Sequence, residues 1–319
     1  MLQPPIDTNI LWTLAPGQFL ETSKIIFNWQ VTHNPVYKKW VELNKSSAIP
    51  FLPISFFKTQ DIFIGEKPIH LFESSGTTQD VKSCHWVQDI SLYEASFLEG
   101  FKLFYGDPSK YCIIGLLPSY LERKHSSLVY MVDKLIKSSG HAQSGFYLYD
   151  HEALSQTLKA NEAAGQQTLL IGVTFALLDF AAKFQMPLEH TTILETGGMK
   201  GRRKELTREE VHAELMDAFK VKSIHGEYGM TELLSQAYAT GNGMYKCPPW
   251  MRVLVTEEED PLTVKTSGRG TLQVIDLANV HSCAFIATED VGAVYADGSF
   301  EVFGRMDHSA LRGCSLMVL

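Results

Sequence analysis

From about residue 89 to residue 225 the chain alternates between short unbroken apolar runs and longer stretches whose apolar residues recur at helical spacing. The runs Tyr111–Leu116, Thr168–Val173, Thr191–Glu195 and Val221–His225, with a shorter one at Phe146–Leu148, predict buried strands. Between them, Asp89–Leu103, Ser126–Ser138, Glu152–Ala164, Phe175–Phe184 and Thr207–Phe219 predict helices. The first can bury Leu92, Ala95, Phe97 and Leu98, and the last opens with a capping box formed by Thr207 and Glu210. Strands alternating with helices of this length predict an α/β fold with a mostly parallel sheet and helices on both faces.

The ends of the chain read differently. Residues 16–45 carry a helical pattern that Pro35 breaks in two, and Ile49–Ile54 is extended because each proline biases its predecessor away from the helix. A short strand is predicted at His70–Phe72. Beyond Met251, short β-rich pieces (Arg252–Thr256, Gly270–Asp276, Ala284–Ala287, Gly292–Tyr295 and Phe300–Phe303) are punctuated by Gly, Asp and Pro, with Ala296-Asp297-Gly298 as a hairpin turn. The expected organisation is an α/β body over residues 1–250 and a β-rich subdomain over 251–319.

Composition narrows the function. A formal net charge of −8 repels a polyanion over most of the surface, so nucleic acid is not the expected partner. The first residues lack a basic region followed by an apolar one, and the longest apolar stretch, Thr168–Ala182, contains Gly172 and Asp179 and is too short to span a bilayer. Five scattered cysteines without a Cys-x-x-Cys pair predict reduced thiols in a cytoplasmic protein and no zinc site. Lys200, Arg202, Arg203, Lys204 and Arg208 form a basic cluster whose interleaved acids predict a solvated face.

Four stretches can carry chemistry. Ser74-Ser75-Gly76-Thr77-Thr78, closed by Lys82, could turn backbone N–H groups, hydroxyls and an ammonium toward a polyphosphate, although such a cluster is first of all a turn. It is not a Walker A loop, because no Gly-Lys-Ser/Thr follows at the needed spacing. His225-Gly226-Glu227-Tyr228-Gly229-Met230-Thr231-Glu232 follows a predicted strand and offers a ring, a close-approach glycine, a hydroxyl and a carboxylate at a sheet's carboxyl edge. Thr288-Glu289-Asp290 presents an acid able to accept from ribose hydroxyls, in what reads as a turn. Phe303-Gly304-Arg305-Met306-Asp307 follows.

Together with Thr196-Gly197-Gly198, and in this order, these stretches resemble the core motifs of the adenylate-forming superfamily of acyl-CoA synthetases, luciferases and nonribosomal adenylation domains. The resemblance runs from Phe72 to Gly313, about three quarters of the chain. Within the superfamily the chain is most similar to the acyl-protein synthetases of the bacterial bioluminescence fatty-acid reductase system, with phenylacetate–CoA ligases as relatives. Leu234–Tyr238, Cys247–Met251, Ile275–Asn279 and Arg312–Met317 carry that narrower likeness.

The resemblance implies an ATP- and Mg²⁺-dependent enzyme that activates a carboxylic acid, of the fatty class, as an acyl-adenylate and passes the acyl group to a thiol. It assigns Ser74, Ser75, Gly76, Thr77, Thr78 and Lys82 to the β- and γ-phosphates and Gly197 and Gly198 to the border of adenine and acyl carboxylate. Tyr228, with Gly229 and Met230 beside it, goes to adenine and Thr231 to the α-phosphate. Glu232 goes to the metal, and Asp290 and Arg305 to the ribose. Gln79 and Val81 depart from the family's glycine and proline, and the sequence ends at Leu319, where the superfamily's small carboxy-terminal lid would follow, so that lid is expected to be absent. Cys314, beside Arg312, matches the thiol that accepts the acyl group before a reductase or carrier partner takes it; the bland alternative is a small buried residue. His85 and His225 are candidate bases or plain hydrogen-bonding histidines. Two other readings stay open: a nucleotide-binding subunit completed by a partner, and an acyltransferase that never uses ATP.

Overall fold

A computed structural model describes residues 2–44, 49–74, 81–117, 125–198, 206–256 and 263–305. Two amino-terminal helices, α1 (Phe19–His33) and α2 (Pro35–Asn44), meet at Asn34, whose side chain accepts from the Val36 and Tyr37 N–H groups. The break predicted at Pro35 therefore lies one residue earlier, where proline is tolerated as a first helical residue. A two-residue strand, β1 (Leu52–Pro53), follows, and then an antiparallel hairpin of β2 (His70–Glu73) and β3 (Cys84–Val87). The Ser/Gly/Thr loop connects this hairpin. The sequence pattern had shown only its first strand.

The α/β expectation holds over the middle of the chain. Helices α3 (Ile90–Tyr105), α4 (Ser127–Ser139), α5 (His151–Ala164), α6 (Thr174–Ala181) and α7 (Arg208–Phe219) alternate with β4 (Cys112–Leu116), β5 (Gly145–Phe146), β6 (Thr168–Gly172), β7 (Thr191–Glu195) and β8 (His225–Tyr228). These strands lie side by side in the order β5-β4-β6-β7-β8, every neighbouring pair parallel. Because side chains alternate across a strand, Ile113, Leu169 and Ile171 enter one core and Cys112, Ile114 and Leu170 the other. One layer rests on α3 and the amino-terminal helices, the other on α5, α6 and α7. The expected capping box is present, with Thr207 accepting from the Glu210 N–H and the Glu210 carboxylate from the Thr207 N–H.

Past β8 the sheet continues in antiparallel fashion through β9 (Ala237–Ala239) and β10 (Tyr245–Lys246). It goes on through β11 (Met251–Thr256), β12 (Val264–Lys265), β13 (Gly268–Asp276), β14 (Phe285–Val294) and β15 (Phe300–Arg305). The β10–β15 pair, Tyr245 opposite Phe300, joins this part to the parallel half, and β1 adds to β14, making one sheet of 13 strands.

Two sequence expectations change here. The strand expected at Val221–His225 begins instead at His225, where the chain comes into register with Leu194 of β7; Lys220, in the left-handed region at φ 52°, first turns it away from α7. The two pieces Ala284–Ala287 and Gly292–Tyr295 are one strand, and Asp290 sits inside it, not in a turn. The interruption the pattern suggested is a register shift between Val291 and Gly292. Any Cβ at Gly292 would overlap the Glu301 carbonyl oxygen, so the shift needs glycine. Among the described residues no helix is long and apolar enough to cross a membrane.

Candidate functional site

The parallel half of the sheet meets the antiparallel half at β8, which pairs with β7 on one side and β9 on the other. Its carboxyl end is where an open α/β sheet offers a crevice. Tyr228 is its last residue. The ring is buried, with edges set against Tyr245 and Phe300 at centroid separations of 5.9 and 5.3 Å. Its hydroxyl donates to Asp290 Oδ2 at 2.9 Å, while Arg305 Nε donates to Asp290 Oδ1 at 3.1 Å.

Strand pairing dictates this triad. Asp290 and Arg305 are register partners on β14 and β15, so their side chains leave the same face. The Thr288 hydroxyl accepts from the Asp290 N–H and donates to the Leu272 carbonyl, fixing the backbone beneath the acid. Burial, then the Asp290 carboxylate, push the Tyr228 hydroxyl well above its ordinary range, so it stays a donor.

Glu232 lies in the turn after Tyr228 and is 5% exposed. Burial raises its pKa, against the pull of the Ser83 hydroxyl, its own backbone N–H, and the Arg305 and Lys58 cations. Arg305 thus binds the Asp290 carboxylate and acts on Glu232 through its charge. Ser83 ties the ends of the Ser74–Lys82 loop to the same place: its N–H donates to Ser74 Oγ at 2.9 Å, and its carbonyl accepts from the Ser74 N–H at 3.0 Å. The loop is pinned at its base within reach of Glu232. Lys82, at that base, pairs with Glu73 at 3.4 Å on the exposed rim.

Gly197 and Gly198 follow β7, two and three residues beyond the Glu195–Gly226 pair, as Tyr228 lies two residues beyond it on β8. The glycines therefore leave the sheet at the same end as Tyr228, beside the β6–α6 turn, where the Gly197 carbonyl accepts from the Thr174 N–H at 3.0 Å. Both have positive φ, 76° and 98°, and Gly197 donates its N–H to Glu195 Oε1 at 2.8 Å. Gly229 is exposed and Met230 half-buried; a Cβ at Gly229 would overlap the Glu227 carboxylate. Glu227 is buried, and burial, then the nearby Glu195 carboxylate, raise it to about 8, so it is a neutral acid at pH 7. Ser75, Gly76, Thr77, Thr78, Asp307 and Cys314 lie outside the described residues.

Sequence reasoning did not find what holds the Thr231–Glu232 turn. His85, wholly buried on β3, donates from Nδ1 to the Thr231 carbonyl at 2.8 Å. Asn279 donates its amide to the Glu232 carbonyl at 2.7 Å. Asp276, buried, accepts from the Leu234 and Ser235 N–H groups at 2.7 and 3.0 Å and from the Ser235 hydroxyl at 2.5 Å. Three buried side chains thus hold four residues of the 231–235 segment. The signal for two of them lay in Ile275–Asn279, a stretch that marked a resemblance without showing its reason. Burial pushes the His85 imidazole down to about 4, so the ring is neutral. The Asn279 amide oxygen lies near enough to the other ring nitrogen to favour its protonation, yet the two do not meet at hydrogen-bonding geometry, and both lack a partner among the described residues. His225 instead meets the Tyr105 hydroxyl at 3.2 Å.

Taken chemically, the cluster joins a carboxylate held by two donors, a buried carboxylate facing cations, a glycine-lined strand edge and the root of a hydroxyl-rich loop. The Glu232 carboxyl is an oxygen donor in a largely desolvated place, which suits a hard cation such as Mg²⁺.

No protein-family profile matches the chain. A long-chain-fatty-acid–luciferin-component ligase of Aliivibrio fischeri is 26% identical over 136 residues, 39% of this chain and 36% of that protein. Among solved structures, 2-hydroxyisobutyryl-CoA ligase in its postadenylation state, with 2-HIB-AMP, superposes over 92% of this chain and 68% of its own, at TM-score 0.64 and 10% identity. ATP-bound MatB of Rhodopseudomonas palustris does so over 74% of this chain and 47% of its own, at TM-score 0.53 and 16% identity. O-succinylbenzoate coenzyme A synthetase of Bacillus subtilis, with ATP and magnesium, gives TM-score 0.51 and 16% identity over 74% and 49%. The chain spans about a third of the curated ligase it matches and about half of the latter two structures. Its fold is that of the adenylate-forming ligases, as the motif order implied.

Proposed function

We propose that this protein activates a carboxylic acid of the fatty class with ATP and passes the acyl group to a thiol. The observation that carries the reading is the convergence of Tyr228 and Glu232, of Asp290 and Arg305 on the β14–β15 pair, and of the root of the Ser74–Lys82 loop, from three segments far apart in sequence. In this reading the Asp290 oxygens, each with a second lone pair to spare, accept from the ribose hydroxyls while Tyr228 and Arg305 hold the carboxylate still. The bare backbone of Gly197 and Gly198 lets adenine and the acyl carboxylate approach the sheet edge. The Thr231 hydroxyl and the loop donors face the phosphates, and Glu232 would hold Mg²⁺, which supplies charge neutralisation on the polyphosphate.

The acyl carboxylate oxygen attacks the α-phosphorus, an O–P bond forms, and the bond to pyrophosphate breaks. A thiolate then attacks the acyl carbon and AMP leaves. The acceptor is Cys314 or a thiol from another molecule, because the four described cysteines suit the role poorly. Cys112 and Cys283 are buried, Cys247 is half-buried and Cys84 is partly so. Burial raises all four, Cys247 and Cys283 to about 12.

The test is pyrophosphate release from Mg·ATP with a panel of carboxylic acids. Release that depends on acid, rises with chain length and falls with Glu232→Gln supports the reading. No release across fatty, aromatic and amino acids overturns it.

A further inference from the structure

Beneath the Thr231–Glu232 turn lies a cavity walled on one side by His85 of β3 and Gln88, the residue just after that strand, and on the other by Asn279 and His281. Its free volume, ≈ 10 Å³, is about the room that one water molecule needs. Four of the seven buried polar side-chain atoms without a partner among the described residues belong to these four residues: His85 Nε2, Gln88 Oε1, Asn279 Oδ1 and His281 Nδ1. His85 and Asn279 are 0% exposed and His281 6%. Unpaired buried polar atoms are costly and rare; four around one space mark it as a site.

The chemistry of the walls says what fits. Asn279 turns its NH₂ to the Glu232 carbonyl, so its oxygen faces away as an acceptor. His85 spends its Nδ1–H on the Thr231 carbonyl, which leaves a lone pair on Nε2. Gln88 adds a third acceptor atom. Among the described residues no group of three His, Cys, Asp or Glu is set to hold a metal ion. A guest that donates hydrogen bonds and is about the size of water suits these acceptors and this space.

We propose that this cavity binds one small hydrogen-bond donor, a water molecule or an ammonium ion, and that His85 and Asn279 relay the guest to the turn that carries Thr231 and Glu232. They are positioning residues: each binds the guest with one atom and a carbonyl of the turn with another. The binding half rests on no functional reading, whereas the positioning half rests on the adenylation proposed above.

Crystals of the whole protein, grown with sodium salts and with ammonium chloride, test the first half beside the ¹⁵N resonance of His85 Nε2. Density bonded to His85 Nε2 and Asn279 Oδ1, with a hydrogen-bonded Nε2 shift, is expected. A saturable rise in Tm with ammonium over sodium at equal ionic strength identifies ammonium, and density without that rise identifies water. An empty cavity with a free lone-pair shift overturns the proposal. For the second half, Asn279→Leu should lose the guest and raise the Mg²⁺ concentration for half-maximal pyrophosphate release about tenfold. Gln88→Leu, which leaves both clamp bonds intact, should raise it less. If guest density vanishes and Mg²⁺ dependence does not move, positioning is refuted. If wild-type protein releases no pyrophosphate, the density and resonance still decide the site.

Discussion

Replacing Asp290 by Asn separates a nucleotide site from a structural carboxylate. The exchange keeps size and shape but turns one acceptor oxygen into a donor. In the native arrangement Oδ2 accepts from Tyr228 and Oδ1 from Arg305. One of those bonds must fail in the variant, because an amide offers only one oxygen. A hydrogen bond to a charged group contributes about 1.5–3 kcal/mol. The Arg305 side chain is 53% exposed, so its share is screened and belongs at the low end. The stability loss is then about 1–2 kcal/mol, roughly 2–4 °C in Tm for a chain of this size. If Asp290 also accepts from ribose, losing those charged contacts raises KM for ATP about 10- to 100-fold. The turnover number should move far less, since the ribose does not react. Pyrophosphate release against ATP concentration, beside a thermal melt, reads both. A lower Tm with unchanged KM would refute the nucleotide assignment and leave the triad as scaffolding alone.

Glu232→Gln should lower kcat/KM for Mg·ATP on the order of 100-fold in the same assay and shift the response to chelators, with little change in Tm. Glu227 is held protonated, its folded pKa near 8 against an ordinary 4.5. Its contribution to stability is complete below about pH 4.5 and declines as pH rises to about 8, so Glu227→Gln should gain on the native protein by at most about 1.4 kcal/mol per pH unit across that window. Urea unfolding from pH 4.5 to 9 checks the sign; a constant difference would mean that the group is ionised throughout. Gly292→Ala should destabilise by about 1–3 kcal/mol and weaken ATP binding together, because the Cβ forces β14 off β15 and parts Asp290 from Arg305. Cys314→Ser should abolish covalent acyl labelling while pyrophosphate release persists; labelling that survives in Cys314→Ser places the acceptor elsewhere.

The parallel half of the sheet was legible because its strands, buried on both faces, leave unbroken apolar runs such as Ile113–Leu116 and Leu169–Ile171, and its helices carry caps at Ser126, Asp150 and Thr207. Strand β3 was not, since Cys84-His85-Trp86-Val87 has no contrast between faces: His85 is buried as fully as an aliphatic residue. The join through β10 was invisible for a related reason. Two residues paired to strands far along the chain leave no periodicity to read. Motif order pointed to Tyr228, Glu232, Asp290 and Arg305, which the fold brings to one end of the sheet, and nothing in it pointed to the side chains behind them. Apart from the Ser235 hydroxyl, Asp276 and Asn279 act on backbone atoms of the 231–235 segment, and a contact to backbone imposes no residue type on its partner.

The charges of the site make an argument that its geometry alone does not. Glu232, Asp290 and Glu289 all bear on Arg305, whose guanidinium is held charged chiefly by Asp290 once burial is overcome. A triphosphate brought to this edge meets carboxylates first, on a chain of net charge −8. Attraction at long range therefore cannot be what selects it. In the proposed reading short-range donors would do so: N–H groups at glycines, hydroxyls at the loop, and a guanidinium already bonded to Asp290. In that reading such a site would favour a nucleotide that arrives with a divalent cation, because the cation would turn Glu232 from a repelling group into a ligand. On that proposal, the acids that would weaken ATP binding without metal are those that would make it specific with metal.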